Sequence, residues 1–152
     1  MAPPFPLPPA MARALELARA AAEAGEVPVG AVVTRGGVII GEGENRNRRD
    51  NDPTAHAEMV AIRAAAARLG DFRLTGCDLH VTLEPCAMCA GAIAHARIER
   101  LYYGAADPKS GGVEHGARVF ARPQCHHRPE IYAGLGEREA AALLTDFFAE
   151  RR

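Results

Sequence analysis

Asp78-Leu-His-Val-Thr-Leu-Glu-Pro-Cys-Ala-Met-Cys-Ala90 is the stretch whose reading decides the fold. Residues 78–83 alternate polar and apolar side chains, the period of a half-buried strand. Pro85 has a locked φ and no N–H, which suits the first position of a helix, and a largely apolar run continues to about residue 96. Ile98-Glu-Arg-Leu-Tyr-Tyr-Gly104 then reads as a second strand. Strand, about ten helical residues, strand predicts a right-handed βαβ crossover with parallel pairing. Ligands of α/β sheets bind beyond the carboxyl ends of the strands. At that position this chain carries Cys86 and Cys89.

Two cysteines at i and i+3 project from one face of a helix, and its partly positive N-terminal end favours thiolate over thiol. His56, about thirty residues upstream, offers a neutral imidazole as third ligand. Three protein ligands leave the fourth tetrahedral position of a zinc ion open, as in catalytic sites. Glu58 follows His56 by two residues and points roughly 200° away on an ideal helix. It is therefore badly placed as a ligand and well placed as a proton shuttle beside the metal. The competing reading is a closed structural zinc that recruits Cys77 or Cys125, with Glu58 a surface carboxylate.

Working outward, residues 10–24 form an alanine-rich helix with Met11, Leu15, Ala18 and Ala22 on one stripe and Gly25 as its stop. Residues 27–33 read as a strand with an irregular start at Pro28, Gly36-Gly37 as a hairpin turn, and 38–40 as the partner strand. Residues 44–53 form a polar loop. A helix from Thr54 or Ala55 to Arg68, apolar nearly all round, is expected to be largely buried. Residues 105–128 are irregular, 130–133 form a short strand, and 137–152 form a terminal helix.

The 152 residues fit one domain, 10–152, behind a proline-rich arm, 1–9, expected to be disordered. The first ten residues show no secretory signal pattern, and no apolar run reaches the roughly 18 residues that span a bilayer. Without an export signal, Cys-x-x-Cys points to metal rather than disulfides, and Cys77 and Cys125 are expected as free thiols. A net charge of −1 excludes a strongly basic, non-specific nucleic-acid binder but leaves local basic patches possible.

His-x-Glu followed by Pro-Cys-x-x-Cys, here His56-Ala-Glu58 and Pro85-Cys-Ala-Met-Cys89, is the signature of the zinc nucleoside and nucleobase deaminases. Within them the chain resembles the family of bacterial tRNA-specific adenosine deaminases. The resemblance rests on Glu26-Val-Pro-Val-Gly-Ala31, Gly41-Glu-Gly-Glu-Asn45, Asp52-Pro-Thr-Ala-His-Ala-Glu58, Val81-Thr-Leu-Glu-Pro-Cys86, Cys89-Ala-Gly-Ala92 and Leu144-Thr-Asp-Phe-Phe148 with Arg151-Arg152.

The resemblance implies a cytidine-deaminase-like three-layer α/β/α sandwich around a mixed sheet of about five strands. It also implies one zinc per chain, a cytoplasmic homodimer, and conversion of the wobble adenosine of a tRNA anticodon stem-loop to inosine with release of ammonia. Glu58 would carry protons from water to the purine N1 and to the leaving amine. Asn45 would bond the flipped-out base, Val29 would pack against it, and the backbone around Glu84 would hold the water and the leaving group. RNA contacts fall by family position on Asp107, Lys109, Ser110, His127, Arg128, Phe147, Phe148, Arg151 and Arg152, with Arg46, Arg48 and Arg49 as further phosphate contacts. The stretches 112–118 and 121–125, and His126, depart from the family's usual residues. Two other readings share the zinc motif: a deaminase of a free base or nucleoside such as guanine or cytosine, and a non-enzymatic RNA-binding protein with structural zinc.

Overall fold

Alternation along the central strands splits the interior into two layers, described for residues 6–151 of a computed structural model. In β1 (Gly30–Arg35), Ala31 and Val33 enter one apolar cluster and Val32 the other. The first cluster is closed by α2 (Ala57–Leu69) and α3 (Ala87–Ala96). The second is closed by α1 (Pro9–Glu23) and α4 (Glu137–Ala149). Between the layers lie β1, β2 (Val38–Glu44), β3 (Cys77–Leu83), β4 (Arg100–Ala105) and β5 (Glu130–Ala133), in the order β2-β1-β3-β4-β5. β1 pairs antiparallel with β2 and β3, whereas β3, β4 and β5 run parallel. The expected three-layer architecture with a mixed five-stranded sheet and its βαβ crossover is present.

The hairpin between β1 and β2 turns on Gly36 and Gly37, both at positive φ (57° and 79°), a pair of values that favours glycine. α2 lies so close to β2 that a Cβ on Gly43 would stand 2.3 Å from the carbonyl oxygen of Ala57. That contact brings the first turn of α2, with His56 and Glu58, to the sheet end where α3 begins.

Several boundaries differ from those the sequence predicts. β1 begins at Gly30, not Val27, because residues 27–29 are spent on a turn in which the Val29 N–H donates to the Val27 carbonyl. α2 begins at Ala57, not at Thr54 or Ala55, and α3 at Ala87 with Cys86 as its N-cap, so Pro85 lies just outside the helix. α2 buries only the stripe Ala57, Glu58, Ala61 and Ala65, while Ala64 and Ala67 face outward. Alanine is chosen there for helix propensity as much as for burial, so an all-apolar run overstates the buried face. α1 starts at Pro9, and Leu7 packs against the α1/α4 layer. Of the arm expected to be disordered, residues 1–5 lie outside the described residues, as does Arg152. Cys77 and Cys125 are free thiols.

Candidate active site

Two helix N-termini meet at the carboxyl end of β3, and their capping residues are His56 and Cys86. The His56 Nδ1 lies 3.5 Å from the sulfur of Cys86 and 3.5 Å from that of Cys89. Tetrahedral zinc with bonds of about 2.3 Å to sulfur and about 2.0 Å to nitrogen requires a nitrogen–sulfur separation of about 3.5 Å. The three side chains therefore can hold zinc without rearrangement, and among the described residues they are the one His/Cys/Asp/Glu group gathered tightly enough for a metal. Cys77 and Cys125 stand apart from it, so the closed four-ligand reading fails.

The electrostatics split the two thiols: the hydrogen bond with Cys86 and burial push Cys89 well up, while Cys86 shifts down. The hydrogen bond with Cys89, and then the one with His56, draw the Cys86 thiol down to about 4. Both helices aim their positive ends at the sulfurs. Glu58 is the second residue of α2, buried and outside the ligand trio. Because His56 is an extended cap rather than a helical residue, the angle expected from an ideal helix does not describe the pair. Glu58 is still kept off the metal, and burial pushes its carboxyl up to about 7.

Asn45, at the end of β2, organises the site. Its side-chain oxygen accepts the Ala57 N–H at 2.8 Å, and its amide donates to the Val27 carbonyl at 3.1 Å. This bond fixes where α2 starts and holds His56 in its cap conformation. Asn45 also lines a cavity of about 220 Å³ together with Val29, His56, Glu58, Glu84 and Cys86. The Glu84 carboxylate is bonded by the loop that follows β4. Burial works to raise its pKa, but hydrogen bonds from Asp107, His115 and Val113 outweigh it and keep the group ionised.

The cavity opens into a larger cleft of about 650 Å³ through shared walls at Val27, Leu83, Asp107 and Ser110. Lys109, Leu144, Phe148 and Arg151 complete that cleft. Phe147 is buried and meets Phe148 edge-on, with ring centroids 5.4 Å apart, and Phe148 is left 47% exposed at the cleft. Arg151 stacks its guanidinium over the Phe147 ring, 3.5 Å from the centroid.

His127 and Arg128 are not brought here. The His127 Nε2 hydrogen-bonds the Ile98 carbonyl at 2.6 Å, and Arg128 donates to the carbonyls of Phe120 and Arg122. Both precede β5 at the end of the sheet opposite the cavity. Arg49 is committed to Glu26 and Glu44, and Arg46 to Asp50. Arg48 alone of that trio has no carboxylate partner among the described residues. Sequence reasoning missed Glu26 as a structural residue: its buried carboxylate accepts the Arg48 and Arg49 backbone N–H groups at 3.1 and 2.9 Å and so folds the loop beside Asn45. It also missed His115, whose partner Glu84 is 31 positions away.

Residues 8–105 match the cytidine and deoxycytidylate deaminase zinc-binding region, and the chain belongs to that zinc-dependent deaminase family. It is 56% identical over 142 residues to the tRNA-specific adenosine deaminase of Agrobacterium fabrum, covering 93% of each protein. A structure from studies of A-to-I editing by tRNA:A34 deaminases at the wobble position of transfer RNA superimposes with a TM-score of 0.88 at 56% identity, over 89% of this chain and 98% of that one. The guanine deaminase of Nitrosomonas europaea is more distant in sequence, at 26% identity with a TM-score of 0.81 over 98% of this chain and 86% of that one.

Proposed function

We propose that this protein is a zinc-dependent deaminase that converts the wobble adenosine of a tRNA anticodon to inosine and releases ammonia. The observation that carries this reading is the junction of two spaces. A small cavity lined by His56, Glu58 and Cys86, with Cys89 buried behind His56, opens into a larger cleft lined by Lys109, Phe148 and Arg151. A free base needs only the first. A nucleotide within a loop needs both, since single-stranded loops are recognised by splayed bases, aromatic stacking and phosphate contacts. Identity of 56% to a tRNA-specific adenosine deaminase, against 26% to a guanine deaminase, supports the same choice.

Zinc held by His56, Cys86 and Cys89 would supply a water-derived nucleophile at neutral pH. Everything else falls to the chain. Glu58 takes the first proton of the attacking water and hands it to the adenine N1, then takes the proton of the hydroxyl added at C6 and delivers it to the amine, which departs as ammonia. The second amide hydrogen of Asn45 is directed to the base, while Val29 packs on its face. Lys109 and Arg151 meet phosphates, and Phe148 stacks on a neighbouring base. No helix among the described residues is long and apolar enough to cross a membrane. The working site would be the cytoplasm, where tRNA is found, and the enzyme a homodimer, for which the outward Ala64, Ala67 and Met88 of adjoining α2 and α3 provide apolar surface.

The test is incubation with total tRNA followed by nucleoside mass analysis. Inosine is expected at the wobble position. Conversion of free guanine, cytosine or adenosine with tRNA left intact would replace this reading with that of a small-molecule deaminase.

A further inference from the structure

One buried carboxylate at the root of the zinc motif is encircled by a single loop. Glu84 Oε1 accepts the Asp107 N–H at 3.0 Å and stands 2.7 Å from His115 Nδ1. Its Oε2 accepts the N–H groups of Val113, Glu114 and His115 at 3.2, 3.0 and 3.1 Å. The strand behind it is pinned as well: the Glu84 N–H donates to the Ala105 carbonyl at 2.8 Å, and the Gly112 N–H donates to the Pro85 carbonyl at 2.8 Å. Gly111 passes over the carboxylate so closely that a Cβ there would lie 2.5 Å from Oε2 and 2.5 Å from the Asp107 carbonyl oxygen. Between the pinned ends, Asp107, Lys109 and Ser110 wall the cleft, and Asp107 caps the Ser110 N–H at 3.0 Å.

We infer that the Glu84 side chain is a positioning residue for substrate recognition: it holds the 107–115 loop in the shape that sets Asp107, Lys109 and Ser110 against the RNA, two residues from a zinc ligand it never touches. This rests on the tRNA reading above. Charge-assisted hydrogen bonds to backbone N–H groups are among the stronger ones, and four on one carboxylate, with the His115 ring as a fifth partner, leave the loop little freedom. Glutamine cannot replace this carboxylate. Whichever way its amide turns, an NH₂ group faces N–H donors, either that of Asp107 or the three on the Oε2 side. The arrangement also ties the metal to the reader, since the same residue ends β3 and precedes Pro85-Cys86.

The test compares wild type with Glu84→Gln and Gly111→Ala, the latter breaking the clamp from the loop side. Zinc content, kcat and KM for tRNA, and backbone amide exchange of residues 107–115 are measured for each. Both variants are expected to keep one zinc per chain, to raise KM by about tenfold with kcat within about threefold of wild type, and to exchange the amides of Asp107, Val113, Glu114 and His115 faster. Wild-type KM in both variants, or a fall in kcat at unchanged KM, would overturn the inference. Should Glu84→Gln lose zinc, Gly111→Ala alone decides. If wild type forms no inosine on any tRNA, the functional reading fails, and amide exchange still decides whether Glu84 clamps the loop.

Discussion

The two ends of the parallel strands carry similar side chains and use them differently. At the carboxyl end of β3 and β4, Asp107, Lys109 and Ser110 from one loop meet Phe148 and Arg151 from α4 around a cleft joined to the zinc cavity. At the opposite end, His127 and Arg128 directly precede β5, and their side-chain nitrogens bond backbone carbonyls away from any cleft joined to the zinc cavity. Positive charge alone therefore does not place a side chain at the cleft. What separates the two ends is position beside the cavity, since Arg151 too donates to a backbone carbonyl, that of Phe147, at 3.1 Å.

Breaking the trio of zinc ligands should have the largest effect. Cys86→Ala removes one of the two thiolates, and the expected outcome is loss of bound zinc by metal analysis and loss of measurable inosine formation. On the cleft, Phe148→Ala should raise KM for tRNA by about tenfold, since stacking on one base contributes about 1–3 kcal/mol. Its zinc content should match wild type, because Phe147 and not Phe148 is the core residue.

The far end of the comparison predicts the opposite pattern. His127→Ala should leave KM within about twofold while lowering stability by about 1 kcal/mol in denaturant unfolding, through loss of the bond to Ile98. A KM effect as large as that of Phe148→Ala would dissolve the distinction between the two ends. On the α1/α4 face, His80 is buried and stacked on Tyr102, with ring centroids 4.5 Å apart, and burial lowers its pKa from 6.5 to about 4. In that window the unfolded chain binds the proton and the folded one does not. Stability should therefore fall as pH drops from about 6.5 towards 4, and His80→Phe should flatten this part of the profile, read by thermal unfolding.

What could be read in the sequence was whatever spacing alone determines. Cys-x-x-Cys places two sulfurs on one helix face whatever the fold, and strand–helix–strand spacing forces the crossover that sets them at the sheet end. His56 needed only a helix start and the signature pattern. Adjacent residues were harder. Phe147 and Phe148 both fit an apolar stripe, and only the packing of α4 against α1 and β4 decides which one faces the cleft. Helix starts were misjudged by one to three residues because caps are set by distant partners, as Asn45 sets Ala57. The roles of Glu26 and Glu84 were out of reach for the same reason, their partners lying 22 to 31 residues away. Buried carboxylates that fold loops leave no local pattern.

The central claim is that the cavity at the meeting of α2 and α3 performs proton-assisted deamination with Glu58 off the metal. It is tested most directly by Glu58→Gln, measured for zinc content and for single-turnover inosine formation on tRNA in the same preparation. One zinc per chain with inosine formation slowed by about 10³-fold is the expected result. Inosine formed at a rate near that of wild type would contradict it.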